Sequence, residues 1–226
     1  MRIVDCLRAW VLLSFTCLYV LTGVSQSEVK DGRGWKLIKE EKLFSIFGRK
    51  LDDAKFKEIK VKGRIQSSIT AIVAALEDIE YQKEWVLRTI DAYEVEKLGT
   101  GQYYFYLSTD MPFPIQNRDL VVYYERIQDP HTKIVTTKSK STPDRVKLKK
   151  GFIRIPTFDS YYIIKPMSEG WLSMEYYLNI DPGGSLPPWV VNLAATTGPK
   201  STMRALYRII ESGKFDDVKI EGIEEP

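Results

Sequence analysis

The chemistry available to this chain gathers in a short run, PFPIQNRD, from Pro112 to Asp119. Two prolines flank Phe113, and Arg118-Asp119 open the apolar stretch that follows. Proline cannot donate to a sheet, so the run marks a corner or an edge. A guanidinium at Arg118 can grip a phosphate through paired hydrogen bonds. It can equally form an ion pair with Asp119 or another acid and tie loop to strand. Asp119 reads as structural, because a carboxylate opening a buried strand must find a partner. Phe113 is either an exposed apolar tip suited to a membrane surface or a plug turned back into the interior.

The catalytic inventory is thin. His131 is the single histidine and sits in the turn signal Asp129-Pro130-His131, so neither a histidine-rich metal site nor a Ser-His-Asp triad can be assembled. Both cysteines, Cys6 and Cys17, fall in the N-terminal segment, which leaves no thiol nucleophile beyond it. Ser185 in GGSLPP lacks the glycine that closes a nucleophile elbow. Gly99-Thr100-Gly101 is a hairpin turn rather than a phosphate loop. No metal and no cofactor is expected. The formal net charge of +3 is too even for a nucleic-acid partner, whose readers carry a strong basic bias.

The first 25 residues have the layout of a secretory signal peptide. Arg2 and Arg8 precede an apolar run from Ala9 to Gly23, and small residues follow around Ser25 and Ser27. The run is short of the roughly 20 residues that a membrane span needs. Cleavage after Ser25 or Ser27 removes both cysteines, so the exported protein, secreted or periplasmic, folds without disulfides. Roughly 200 residues remain, enough for one domain that buries about 70% of its unfolded surface. That domain is expected over 26–214, as a monomer, with an acidic and mobile tail over 215–226.

The elements that must position Arg118 and its neighbours follow from pattern. Strands are expected from Trp35 to Phe47 and from Phe56 to Ile65. Ser67 or Ser68 can cap a short helix from Ile69 to Leu76, whose Ile69, Ile72, Val73 and Leu76 form one apolar stripe. Asp78 to Trp85 reads as a further helical turn or two. Seven strands then follow: Thr89–Leu98, Gln102–Thr109, Leu120–Gln128, Lys133–Ser139, Phe152–Pro156, Tyr161–Lys165 and Trp171–Ile180. Short turn signals separate most of them, which implies hairpins and an antiparallel sheet. Pro187-Pro188 open a last helix, where a missing N–H costs least. Gly198-Pro199 interrupt it, so it is expected to bend and to end near Gly213. One long helix cannot fill the concave face of a curved sheet, so a cavity between the two is expected.

Trp85, PFPIQNRD, Arg154 in GFIRIP, and DPGGSLPPWVVNLAATTGPKSTMRAL come in the order and spacing of a START domain, which the chain resembles from about Trp35 to Ser212. The resemblance implies the α+β helix-grip fold: a curved antiparallel sheet wrapped around a long kinked C-terminal helix, with an internal apolar tunnel. It also implies non-catalytic lipid binding and transfer, one lipid per chain, with transient contact to a membrane surface. The loop at Pro112–Ile115 and the helix start at Trp189 would form the mouth. Sterol-carrying members bury an acid and an arginine in the tunnel; counted without gaps, those positions fall on Phe105 and Tyr124, so a phospholipid is favoured over a sterol.

Under this reading the ligand-binding residues are Tyr103, Phe105, Leu107, Phe113, Ile115, Arg118, Leu120, Val122, Tyr124, Trp189, Leu193 and Met203. Strand alternation puts Tyr103, Phe105 and Leu107, and likewise Leu120, Val122 and Tyr124, on one face. Tyr103, Tyr104 and Tyr106 together suggest a polar-dotted cavity or a wet surface rather than a dry core. The basic run from Lys138 to Lys150 either docks on an anionic membrane or protects an exposed strand edge at Lys147 and Lys149. Two other readings stay open: a cyclase- or aromatase-like enzyme of the same shape, and a secreted interaction protein with a filled core.

Overall fold

The computed structural model describes residues 30–31, 34–50 and 56–226. The expected signal peptide, with Cys6 and Cys17, lies outside the described residues. Eleven strands form one sheet: β1 (Lys30–Asp31), β2 (Trp35–Glu40), β3 (Phe44–Arg49), β4 (Glu58–Gln66), β5 (Thr89–Gly99), β6 (Gln102–Thr109), β7 (Asn117–Gln128), β8 (Val135–Ser141), β9 (Phe152–Arg154), β10 (Thr157–Pro166) and β11 (Trp171–Asp181). Among the described residues three α-helices accompany them: α1 (Ile69–Glu77), α2 (Gln82–Trp85) and α3 (Pro188–Glu211).

The strand order is β1-β2-β3-β4-β11-β10-β8-β7-β6-β5, with β9 paired to β7 off this path. The chain leaves the sheet after β4, passes through α1 and α2, re-enters at the far edge and returns strand by strand until β11 pairs with β4. The sheet is not closed, and its edges are β1 and β5. The pairing of β5 with β6 slips register three times, which spoils that edge as a template for another chain.

Local chemistry accounts for the helices. The Ser68 hydroxyl accepts from the Ala71 N–H at 3.0 Å and caps α1. Ile69, Ile72, Val73 and Leu76 on α1 are buried as the stripe requires. Helix α3 starts with Pro188 in its first turn and carries Pro199 inside, where the missing N–H removes one rung. Its C-terminal half packs Met203, Leu206, Tyr207 and Ile210 against Phe44, Ile46, Val61 and Ile72 in the larger core. Tyr207 lies 5.6 Å from Phe44, ring to ring, and donates to the Leu43 carbonyl at 3.3 Å. Gly63 makes that approach possible, since a Cβ there would sit 2.3 Å from the Tyr207 hydroxyl.

Four sequence expectations are corrected. Trp35 to Phe47 is a hairpin, β2 and β3, turning at residues 41–43 without glycine or proline, whose absence hid it. Strand β8 begins at Val135 rather than Lys133. Strand β9 ends at Arg154, and it runs parallel to β7 within an otherwise antiparallel sheet. The C-terminal segment is packed rather than mobile. Phe215 is buried and meets Tyr81 edge-on at 6.0 Å, and Ile220 and Ile223 lie against the core. The Glu225 carboxylate accepts from the Ile69 and Thr70 N–H groups at 3.0 and 2.8 Å. Those donors at the start of α1 have no intrahelical partner, and a carboxylate there also complements the helix dipole.

Candidate functional site

Between the N-terminal half of α3, α2 and the inward face of the sheet lies a cavity of about 340 Å³, within the range of small-molecule sites, roughly 300–1,000 Å³. The wall is set by strand alternation. Phe105 and Leu107 face it from β6, Leu120 and Tyr124 from β7, Thr137 and Ser139 from β8, Ser160 and Tyr162 from β10, and Tyr176, Leu178 and Ile180 from β11. Trp85 and Val86 close one side, while Val190, Gly198, Pro199, Thr202 and Met203 form the roof on α3. Among the described residues two charged side chains reach the lining, Arg88 and Asp110. They are bonded to each other and partly solvent-exposed.

Tyr162 and Tyr176 are each only partly buried, yet desolvation pushes both phenols well up. Both side chains line the cavity. The two rings stack at 4.4 Å.

A buried polar cluster sits behind Tyr124. Its hydroxyl donates to Glu77 Oε1 at 3.1 Å, and Arg126 Nε lies 2.8 Å from the same oxygen. Burial raises the Glu77 carboxyl, and the Arg126 guanidinium beside it opposes that shift. Tyr103 stacks on Tyr124 at 4.7 Å, and desolvation raises its phenol too. Sequence reasoning missed this acid–arginine pair, because Glu77 comes from the end of α1 and Arg126 lies two residues past Tyr124. The available signal was a glutamate closing an otherwise apolar helix.

Of the expected site residues, Phe105, Leu107, Leu120, Tyr124 and Met203 line the cavity. Tyr103 and Val122 belong to the adjoining smaller apolar cluster instead. Phe113 is 95% exposed, so it is a tip and not a plug. Trp189 is 51% exposed, one residue before the cavity-lining Val190. Ile115 closes its own loop by donating its N–H to the Pro112 carbonyl at 2.9 Å. The Leu193 side chain lies outside the described residues. Of the three neighbouring tyrosines only Tyr103 faces inward; Tyr104 pairs with Tyr123, and Tyr106 stacks on Tyr93.

Arg118 is the main correction. It is 2% exposed and does not line the cavity. Its guanidinium donates to the carbonyls of Gln116, Pro182 and Gly183, the last two at 3.3 and 3.1 Å. The arginine therefore ties the PFPIQNRD loop to the turn before α3, and it makes no ion pair with Asp119. The acid's partner is Arg154, held at both oxygens at 2.8 and 2.9 Å. Asn117 closes the loop from the other side, accepting from the Met111 N–H at 2.9 Å. Neighbouring residues Arg118 and Asp119 thus lock two different segments, because alternation sends them to opposite faces of β7.

Three basic residues of the run expected to dock on membranes or guard an edge face acids across the outer surface. Lys138 lies 3.4 Å from Glu125, and Arg145 pairs with Glu96. Strand β8 is interior, and Lys147 and Lys149 lie in the loop after it, from which Lys149 Nζ comes within 4.0 Å of Asp91 on the edge strand β5.

The START domain family model matches residues 21–204. This chain belongs to the START domain family. Among its relatives, the phosphatidylcholine transfer protein of Rattus norvegicus is 29% identical over 83% of this chain and 88% of its own. An uncharacterized protein of Pseudomonas aeruginosa is 26% identical over 78% and 87%. The fold agrees with a START structure, the STAR-related lipid transfer protein fragment from Xanthomonas axonopodis, at a TM-score of 0.72 and 24% identity. That overlay covers 79% of this chain and 99% of the fragment.

Proposed function

We propose that the protein binds one lipid in its internal cavity and carries it between membranes, as a monomer and without catalysis, outside the cytoplasm once residues 1–25 are removed. The observation that carries this reading is the apolar cavity between sheet and α3, lined by Pro112 and Val190, whose chain neighbours Phe113 and Trp189 stand exposed. Large apolar side chains standing in water at the rim of an apolar cavity suit a surface that meets a membrane. Family membership supports the same reading. Carriage breaks no bond; it needs only that the Pro112 loop and the start of α3 part, so that a lipid can leave a bilayer without crossing water.

The phospholipid preference followed from the missing sterol-site positions at Phe105 and Tyr124, and its candidate phosphate contact, Arg118, spends its guanidinium on three carbonyls away from the cavity. The head group must instead be read from the groups that line the wall.

The test is lipid extraction and native mass spectrometry of the purified protein, followed by transfer of a fluorescent lipid between vesicles. One lipid per chain and faster transfer are expected. A protein that loads no lipid of any class overturns the reading. Intact mass of the exported protein tests the leader, with loss of residues 1–25 expected and retention of the full chain in the cytoplasm the contrary result.

A further inference from the structure

We propose that the cavity selects a lipid with an uncharged hydroxyl or ester head, which it holds against a platform of hydroxyl groups on the sheet wall; this rests on the lipid-carrier reading above. The platform comes from the register. Tyr124 pairs with Ser139 and Ser139 with Ser160, while in the next inward row Thr137 pairs with Tyr162 and Tyr162 with Tyr176. All six line the cavity, and they sit on four neighbouring strands, so hydroxyl-bearing side chains share one region of the wall.

The patch can both give and take a hydrogen bond. Thr137 Oγ1 accepts from the Tyr162 N–H at 3.3 Å, which leaves its own O–H to donate. The Tyr124 hydroxyl donates to Glu77 at 3.1 Å, which leaves its oxygen to accept. An alcohol or an ester carbonyl meets this demand. A phosphate does not. Arg88, the one cation in the lining among the described residues, is bound to Asp110 and partly exposed, and Arg126 is held by Glu77 behind Tyr124. A phosphate drawn inside would be a buried charge without a partner, which is far costlier than a neutral head bonded to hydroxyls.

The test offers the purified protein vesicles of dioleoylphosphatidylcholine containing either dioleoylglycerol or cholesterol, then re-isolates it and identifies the bound lipid by mass. Uptake of the neutral guest in preference to the host phospholipid is expected, and the arm that loads tells ester from sterol. Tyr162→Phe and Ser160→Ala should each lower neutral-lipid occupancy about fivefold, as loss of one hydrogen bond implies. Tyr123→Phe, whose hydroxyl lies on the outer face near Glu125, should leave occupancy unchanged. Loading of phosphatidylcholine in preference to both guests overturns the neutral-head proposal while leaving the carrier reading intact. So does neutral-lipid uptake indifferent to the loss of Tyr162 and Ser160 hydroxyls in variants that keep the wild-type melting temperature. Failure to load any of the three lipids overturns the neutral-head proposal, and the carrier reading falls with it only where the purified protein also yields no lipid of any class on extraction.

Discussion

The two halves of α3 present the same helical periodicity to very different surroundings. Downstream of Met203 the helix meets Ile, Val and Ala from α1, β3 and β4, and the space between closes into core. Upstream, Val190, Pro199 and Thr202 face strands that carry tyrosine, serine and threonine inward, and the space stays open. One helix thus serves as the clasp of a packed core at one end and the roof of a cavity at the other. Stability should be concentrated at the closed end and ligand exchange at the open end, so substitutions can separate the two.

The largest effect is expected from the same truncation made at both ends. Leu206→Ala, at a fully buried position of the closed half, should cost several kcal/mol, in the upper part of the range of about 2–5 for such changes. Leu120→Ala removes the same atoms from the cavity wall, where the side chain already has neighbours missing, and should fall near the bottom of that range. Urea denaturation of both variants measures the difference. Equal costs would mean that the wall is packed as tightly as the core.

Next in size is Gly63→Ala, which probes how closely the closed half approaches the sheet. The added methyl would meet the Tyr207 hydroxyl at 2.3 Å, Phe44 Cβ at 2.8 Å and the Leu43 carbonyl at 2.9 Å. Overpacking of this kind costs about 1–3 kcal/mol. Tyr207→Phe in the same chain removes the first clash and should recover part of the loss, a coupling that a double-mutant cycle reads directly.

The closed half was also the more legible in sequence. The α1 stripe, the Ser68 cap and the spacing of Leu206, Tyr207 and Ile210 all announce buried faces, because helix periodicity and burial coincide there. Strand alternation likewise placed Phe105, Leu107, Leu120 and Tyr124 on the cavity side. What sequence could not supply was reach. Arg118 and Asp119 invite pairing with each other because they are adjacent, yet each bonds to a segment more than thirty residues away. The hydroxyls of Thr137, Ser139 and Ser160 looked like ordinary polar strand residues, since nothing in one strand shows which neighbours share its face. The acidic tail read as mobile because its chief anchors, Phe215 and Glu225, gain their partners only through the tertiary fold.

A smaller effect separates the polar floor of the open half from the rest. Burial raises the Glu77 carboxyl above its ordinary range, so the folded protein holds this proton more tightly than the unfolded chain does. The cost of charging Glu77 is absent below the unfolded carboxyl pKa. It grows as pH rises through the window up to the raised folded value, and stability falls across that window. Glu77→Gln should remove this component of the pH dependence. The measurement is the difference between wild-type and variant denaturation free energies from the ordinary glutamate range upward in pH. A difference that rises with pH instead would mean that the Arg126 pair outweighs desolvation.

The smallest effect on stability and the clearest on exchange should come from Phe113→Asp. At 95% exposure the side chain contributes almost nothing to the folded state, and a surface change of this kind stays within about 0.5 kcal/mol. Inserting a phenyl ring into an apolar phase is favourable by about 1.5–3 kcal/mol, so replacing it with a charge should slow transfer between vesicles at least about tenfold. Occupancy by lipid supplied in detergent should be unchanged, because Phe113 does not line the cavity. A transfer rate that survives this substitution would move the membrane contact to Trp189, and one that falls in step with occupancy would show that Phe113 acts on the cavity after all.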